Sequence, residues 1–289
     1  MTFPLAGTGI WNHMLRHADP GAIAEAAAEL ESLGYAALWI PDIGGDVFGA
    51  VEHLLRSTQD TIIATGILNL WMHTAEETAQ QHAALSEEFG RRFLVGIGVS
   101  HQPLIDGVQE PGTYQQPLAR TRQYLDELDA QNPRLADNDR VLAALGPKML
   151  ELARTRTAGS HPYLVTPEHT AAARQALGEG PLLAPEQAVA LTVDPDEART
   201  LGRQHLEHYL LLPNYTNNWM RLGFTEADLE AGGSDALVDA LVAWGDEEAI
   251  AARVQQHREA GADHVCLQIL TSGDPLTLAE ARRLAPALN

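Results

Sequence analysis

Short apolar runs alternate with longer segments of helical spacing along nearly the whole chain. Runs that are apolar throughout predict strands buried on both faces, and apolar residues recurring three and four positions apart predict helices. The predicted strands cover residues 9–11, 35–40, 61–69, 93–99, 141–145, 161–165, 188–193 and 265–270. Eight strands separated by helices are typical of parallel βα units.

Capping residues mark where the first long helix begins and ends. Asp19 is a favourable N-cap, Pro20 suits the first helical position and Gly34 suits the stop. With 289 residues, the repeated units predict a (β/α)8 TIM barrel that forms one domain over residues 1–289. A doubly wound open sheet is the alternative.

Two connections are longer than βα units need. Residues 101–116 follow the fourth predicted strand, and residues 210–233 follow the seventh strand and its helix. Long connections in compact domains are usually lids or binding elements. We therefore expect both insertions to help shape a site.

Polar or aromatic residues collect where the predicted strands end, which is the catalytic face of such barrels. They are Asn12, His13, Asp42, Asn69, Trp71, Ser100, His101, Gly146 to Lys148, Tyr163 and Thr166. Each has an ordinary explanation, such as a helix cap or a loop histidine. Their convergence on one rim favours a site.

Lys148 is the only lysine in a chain of net charge −20. It lies in Gly146-Pro147-Lys148-Met149, between a predicted strand and a helix. The first N–H groups of a helix bind anions, so this segment indicates a phosphate site. The alternative is an ordinary surface lysine in a first helical turn.

Gly66 interrupts the third predicted strand. An interior glycine weakens a strand and often marks a bulge or a close backbone approach to a ligand. A glycine that packs against a helix is the alternative.

Composition excludes several classes of function. The acidic balance argues against nucleic acid and anionic membrane surfaces as partners. Cys266 is the single cysteine, so no internal disulfide or multi-cysteine metal site can form. The N-terminus lacks the features of a signal peptide and no apolar stretch is long enough to span a bilayer. We expect a cytoplasmic protein that binds a small molecule.

The motifs of other barrel enzymes are missing. The end of the first strand supplies one histidine, His13, without the second histidine of an amidohydrolase-type metal site. Lys148 follows Gly-Pro and so is poorly placed for a Schiff base, and there is no G-x-S-x-G element. A bound organic cofactor without a metal is the remaining expectation.

Longer stretches resemble the luciferase-like monooxygenase superfamily, in particular its F420-dependent oxidoreductases. The resemblance covers residues 33–41, 92–101, 141–152, 161–167, 212–215 and 260–265. It implies a cofactor that is coenzyme F420, or FMN as the alternative, and a homodimer. A flavin monooxygenase using O2, or a cofactor-free barrel with a binding role, are the alternative functions.

The resemblance also implies particular positions for the cofactor, including a non-proline cis peptide in the bulge at Gly66-Ile67. The implied cofactor-binding residues are Asp42, Thr65, Gly66, Ile67, Asn69, Val99, Ser100, His101, Gly146, Pro147, Lys148, Met149, Tyr163, Val165 and Thr166. One departure is Ile43, where some sugar-oxidising relatives have histidine, which disfavours a sugar phosphate substrate.

The implied reaction is hydride transfer between the cofactor and a small organic substrate. Such a reaction needs a proton donor or acceptor, and His101 is the first candidate, with His13 second. We expect aromatic walls and polar orienting groups around the substrate. These are Trp11, Trp71, Tyr215, Asn214 and Asn217.

Overall fold

One parallel sheet carries the architecture of the chain in a computed structural model, which describes residues 3–289. Met1 and Thr2, the start of the segment considered for a leader, lie outside the described residues. The strands are β1 (Gly7–Trp11), β2 (Ala37–Ile40), β3 (Ile62–Thr65), β4 (Leu68–Asn69), β5 (Phe93–Gly98), β6 (Arg140–Leu142), β7 (Gly159–Ser160), β8 (Leu182–Leu183), β9 (Glu186–Ala190), β10 (Val242–Trp244) and β11 (His264–Ile269).

The order of the strands curls the sheet into a barrel. The path runs β9-β11-β1-β2-β3-β5-β6-β7-β8 with parallel pairing at each step, β10 extends it beyond β9, and β4 pairs with β5. Only Ala184 and Pro185 separate β8 from β9. The two ends of the path therefore meet within one short segment of chain, which closes the sheet.

Helices pack around this sheet. They are α1 (Met14–His17), α2 (Pro20–Ser32), α3 (Val47–Ser57), α4 (Ala75–Phe89), α5 (Gln102–Val108), α6 (Pro117–Asp129), α7 (Pro147–Arg156), α8 (Pro167–Leu177), α9 (Pro195–Leu206), α10 (Pro213–Arg221), α11 (Glu226–Leu229), α12 (Asp235–Leu241), α13 (Glu247–Glu259) and α14 (Leu278–Leu288). Asp19 caps α2 as predicted, its carboxylate accepting from the N–H groups of Gly21 and Ala22. Within residues 3–289, no helix combines the length and apolarity needed to cross a membrane.

The apolar faces of the helices meet the outer face of the sheet. Leu30 of α2, Leu54 of α3 and Leu284 of α14 are fully buried in one large cluster. A second cluster fills the barrel itself, where the indole of Trp39 stacks on His161 at 4.2 Å and donates to His264 Nε2. The barrel is thus a filled core, and a ligand can enter only at its ends.

Several strand predictions need correction. Residues 161–165 are not a strand: β7 ends at Ser160, and Leu164 takes a left-handed conformation with φ of 52°. The third predicted strand is broken between β3 and β4 at Gly66. The seventh begins and ends earlier than 188–193, as β9. The strands β8 and β10 were not predicted, because two or three residues carry no readable period.

The two predicted loops are partly helical. Residues 101–116 contain α5, and residues 210–233 contain α10 and α11 after a 3-10 turn at Tyr209–Leu211. Proline at the first position of α10 starts that helix, as it does for α7 and α8. The buried indole of Trp219 donates to the carbonyl of Leu164 at 3.1 Å, which ties α10 to the end of β7.

Candidate active site

A cavity of about 580 Å³ lies at the carboxyl ends of the strands, under the two insertions. Many of the predicted site residues line it together, contributed by the last residue of β1, by the segments that follow β2, β3, β5, β6 and β7, and by α7 and α10. These are Trp11, Asp42, Gly66, Ile67, Val99, Ser100, His101, Gly146, Met149, Tyr163, Asn214, Tyr215 and Asn217. Their proximity makes one site geometrically possible, while their individual roles stay predictions.

Other predicted residues lie outside the cavity lining. Thr65 is fully buried in β3, where its hydroxyl donates to the carbonyl of Gly96 at 2.8 Å. Val165 is buried, and Thr166 caps α8 by accepting from the N–H of His169. Pro147 and Lys148 are exposed on the first turn of α7.

Asn69 and Trp71 lie next to the cavity but do not line it. Asn69 is buried and accepts from the backbone N–H of Trp71. The Trp71 indole donates to the carbonyl of Val99 at 2.9 Å. Both residues therefore hold neighbouring strand ends together and present no face to the cavity.

His13 faces a different, smaller cavity of about 250 Å³, which it shares with His205 and Gln268. Trp11 borders both cavities and stands between them. His13 is thus separated from the main cavity by an indole, because β1 ends at Trp11 and the chain turns into α1 there.

Gly66 forms part of the cavity floor, and the space beside it is already filled. A Cβ on Gly66 would lie 2.5 Å from Nε1 of Trp11 and 3.1 Å from Nε2 of His161. The Trp11 indole donates to the Gly66 carbonyl at 3.0 Å. The peptide between Gly66 and Ile67 is cis, as the resemblance implies. Close packing under the floor therefore requires glycine here.

Asp42 is the centre of a buried charged network at the end of β2. His73 Nε2 and the backbone N–H of Asn69 both donate to Asp42 Oδ2 at 3.1 Å, and Arg16 lies 3.8 Å from Oδ1. Burial raises the pKa of Asp42, but the hydrogen bonds from His73 and Asn69 outweigh it and hold the pKa below its usual value. Burial lowers the pKa of His73, and Asp42 more than reverses that. The carboxylate therefore stays ionised at neutral pH.

Three tyrosines form one wall of the cavity. The Tyr163 hydroxyl donates to Gln268 Oε1 at 2.6 Å and lies 3.0 Å from the Tyr209 hydroxyl. The rings of Tyr209 and Tyr215 meet edge to face with centroids 5.0 Å apart. Burial raises the pKa of Tyr209 to about 12, so the phenol is neutral and can donate a hydrogen bond.

His101 lies where the two insertions meet. The centroid of its ring is 5.5 Å from that of the Tyr215 ring, and its buried Nδ1 has no hydrogen-bond partner within residues 3–289. Burial, with a smaller contribution from His208, lowers the pKa of His101 to about 4. At neutral pH the imidazole is therefore uncharged, with one ring N–H that can donate a hydrogen bond and one ring nitrogen that can accept one.

The predicted phosphate segment reaches the cavity through Gly146 and Met149. α7 begins at Pro147, and its N-cap, Gly146, has no side chain that could cap the helix start. The cation that lines the cavity here is Arg221, at the end of α10. A Cβ on Gly146 would lie 3.8 Å from Arg221 Nη2, so the guanidinium faces the start of α7.

A further set of lining residues was not predicted from the sequence, and most of them are apolar or contributed by the insertions. They are Pro41, Ile43, Leu104, Tyr114, Pro117, Ala143, Ala144, Leu145, His161, His208, Tyr209 and Arg221. Leu104, Tyr114 and Arg221 fall in the two segments flagged as long connections, but nothing in their local pattern distinguishes them from neighbours. No group of three His, Cys, Asp or Glu side chains arranged for a metal ion occurs within the described residues 3–289.

Comparison with known proteins gives a family match over the first part of the chain. Residues 4–131 match the model of the luciferase-like monooxygenases. The resemblance to this family is confirmed. A protein of Mycobacterium tuberculosis named as a proposed coenzyme F420-dependent oxidoreductase is 29% identical over 104 residues. That match covers 36% of this chain and 30% of the relative's length.

Solved structures share the luciferase-like fold over nearly the whole chain. An F420-dependent secondary alcohol dehydrogenase, in complex with an F420-acetone adduct, has a TM-score of 0.74 at 14% identity, covering 100% of both chains. The F420-dependent tetrahydromethanopterin reductase of Methanopyrus kandleri has a TM-score of 0.69 at 16% identity, covering 98% of this chain and 99% of its own. The predicted barrel class is confirmed by this likeness.

A neighbour that binds a flavin shares the same fold. The oxygenating constituent of 3,6-diketocamphane monooxygenase from a Pseudomonas putida plasmid, in complex with FMN, has a TM-score of 0.65 at 15% identity. It covers 99% of this chain and 99% of its own length. The solved structures that share this fold thus include one in complex with an F420 adduct and one in complex with FMN.

Proposed function

We propose that this chain is a luciferase-like oxidoreductase that transfers a hydride between coenzyme F420 and a small organic substrate. The observation that carries the proposal is the cavity at the strand ends. It joins an aromatic wall and a glycine floor to an uncapped helix start beside an arginine. A large pocket with a few convergent polar groups is the usual form of a cofactor site.

The residues present fit a tricyclic cofactor with a phosphate. Ile67 and Val99 offer apolar contact to a planar ring, and the backbone at Gly66 offers no side chain that would hold the ring away. At the start of α7, Pro147 has no N–H and the N–H groups of Met149 and Leu150 donate to the Gly146 carbonyl, so the backbone N–H of Lys148, which no side chain caps, is the donor offered to an anionic group. When bound, F420 accepts or supplies a hydride at its ring.

The chain's own residues orient the substrate by hydrogen bonds and donate or accept the proton that accompanies hydride transfer. Neutral His101 and the phenol of Tyr209 line the cavity with hydrogen-bonding groups at neutral pH. Either can hold a substrate hydroxyl or carbonyl oxygen. The two insertions cover the cavity from above, which limits access of water to the reacting atoms.

Titration of the purified protein with F420 and with FMN, followed by fluorescence, tests the proposal. We expect F420 to bind at least about tenfold more tightly than FMN, a difference of about 1.4 kcal/mol. The reverse preference would favour an FMN monooxygenase on the same barrel. Millimolar dissociation constants for both would contradict a cofactor-dependent enzyme and favour a barrel with a binding role.

His101→Ala separates binding from chemistry. The proposal requires F420 affinity within about twofold of wild type and slower hydride transfer to a true substrate, by about 10²-fold. Unchanged turnover would remove His101 from the mechanism and leave the tyrosines as the candidates.

A further inference from the structure

The charged residues of the main cavity are few. Among its lining residues within positions 3–289, the acidic and basic side chains other than histidine are Asp42 and Arg221. Asp42 has its own cationic partners, Arg16 and His73. Arg221 is therefore the basic side chain available to an anion in this cavity.

Arg221 has no carboxylate partner within the described residues 3–289, although the chain carries a net charge of −20. Its single protein hydrogen bond runs from Nη2 to Asn218 Oδ1 at 3.3 Å, a long contact. Most other arginines here are paired, as Arg199 is with Asp239 at 2.7 Å. The rest of the guanidinium fork is free to bind a planar or tetrahedral anion.

The neighbourhood of Arg221 leaves room for such an anion. A Cβ on Gly146 would lie 3.8 Å from Arg221 Nη2, and apart from Gly146 and its two chain neighbours nothing else in residues 3–289 would come within 4 Å of it. Asn218 beside the guanidinium is 2% exposed, and its Nδ2 has no partner among those residues. An unsatisfied buried donor next to an unpaired cation is costly unless a ligand completes it.

Lys148 does not fill this role. Its side chain is exposed on the first turn of α7 and does not line the cavity. The backbone there still contributes, since the N-cap Gly146 leaves the helix start without a side-chain cap. The sole lysine of the chain is thus on the outer side of the turn whose inner side faces the cavity.

We propose that Arg221 is the cation that binds the phosphate of the cofactor, together with the start of α7. The ligand class is a phosphate ester carried by a tricyclic ring. The assignment rests on the proposed function. It makes the insertion that carries α10 a determinant of cofactor affinity.

Paired ligands test the assignment. Dissociation constants are measured by fluorescence for F420 and for the deazaflavin nucleoside that lacks the phosphate, and likewise for FMN and riboflavin. The proteins are wild type, Arg221→Gln, Lys148→Gln and the matched control Arg122→Gln, an exposed arginine of α6 that does not line the cavity. Thermal melts establish that each variant folds.

Arg221→Gln is expected to raise the dissociation constants of the phosphate-bearing ligands by about tenfold or more, and those of the phosphate-free ligands by less than about twofold. Lys148→Gln and Arg122→Gln should stay within about twofold for every ligand. Arg221→Lys should recover part of the loss, because a point charge replaces the bidentate fork.

Three results overturn the assignment while leaving the proposed function intact. They are unchanged phosphate-ligand binding in Arg221→Gln, equal loss for ligands with and without phosphate, or a tenfold loss in Lys148→Gln instead. If wild type binds neither pair of ligands, the proposed function fails, and the role of Arg221 fails with it.

Discussion

The two charged places in the cavity are built in opposite ways. The Asp42 side chain is fully buried and held by His73, a backbone N–H and Arg16, all from the barrel and its first helices. Arg221 is exposed, comes from an insertion and has one long hydrogen bond. The charge of Asp42 is thus paired within the protein, whereas the charge of Arg221 has no anionic partner among the described residues. We infer that Asp42 supports folding and Arg221 supports binding.

Removal of Asp42 should give the largest effect on stability. Asp42→Ala leaves the side chain of Arg16, which is 2% exposed, and that of His73 without their anionic partner. Breaking a buried pair in this way costs about 3–5 kcal/mol. Urea unfolding measures the change, with Arg221→Gln as the comparison, for which we expect less than about 0.5 kcal/mol. Equal losses of unfolding free energy in Asp42→Ala and Arg221→Gln would contradict the assignment of Asp42 to stability and Arg221 to binding.

The pairing of His73 with Asp42 should appear in the pH dependence of stability. The pKa of His73 is raised in the folded state by Asp42, although burial lowers it. Its contribution is therefore fully present below the unfolded pKa of about 6.5 and is lost as pH rises through the folded pKa. We expect the stability gap between wild type and His73→Gln, about 1–2 kcal/mol at pH 6, to shrink by pH 9. A gap that widens with pH would mean that His73 is neutral when folded.

A smaller effect should separate two tyrosines of the wall. Tyr209→Phe loses the hydrogen bond to the Tyr163 hydroxyl at 3.0 Å, which we expect to cost about 1 kcal/mol. Tyr215→Phe keeps the edge-to-face contact of the ring with Tyr209 at 5.0 Å and should change stability by less than about 0.5 kcal/mol. Thermal melts compare the two variants, and a larger loss in Tyr215→Phe would contradict this arrangement.

The smallest effect concerns the sole lysine. Lys148 is exposed and makes no ion pair within residues 3–289, so Lys148→Gln should leave both stability and cofactor affinity close to wild type. Stability measured by urea and affinity measured by fluorescence check both parts. A marked loss of cofactor affinity in Lys148→Gln would mean that Lys148, in α7, is the cation that binds the phosphate.

The barrel and the rim of the site were predictable because they follow from repetition. Strand ends in βα units point to one face, so Asp42, Ser100 and His101 could be placed on it from spacing alone. The interruption at Gly66 was predicted because an interior glycine weakens a strand and often marks a bulge. His73 was not recognised, because its link to Asp42 spans 31 positions and leaves no local signal.

For the two insertions, some of the side chains that face the cavity could not be predicted from the sequence. Whether a side chain at a helix end faces solvent or a cavity depends on how that helix docks, which the period of the helix does not specify. Trp219 fixes α10 by its bond to Leu164, and only then does Arg221 face Gly146. A phosphate contact was predicted for Lys148 because it is the only lysine of the chain. In the structure its side chain is exposed on the outer side of the first turn of α7.

The most direct test is a crystal structure of the protein with F420 bound. The account predicts the ring against Gly66 and Ile67, and phosphate oxygens about 3 Å from Arg221 and from the N–H groups at the start of α7. A ring elsewhere in the barrel, or a phosphate bound at Lys148 with Arg221 turned to solvent, would contradict it.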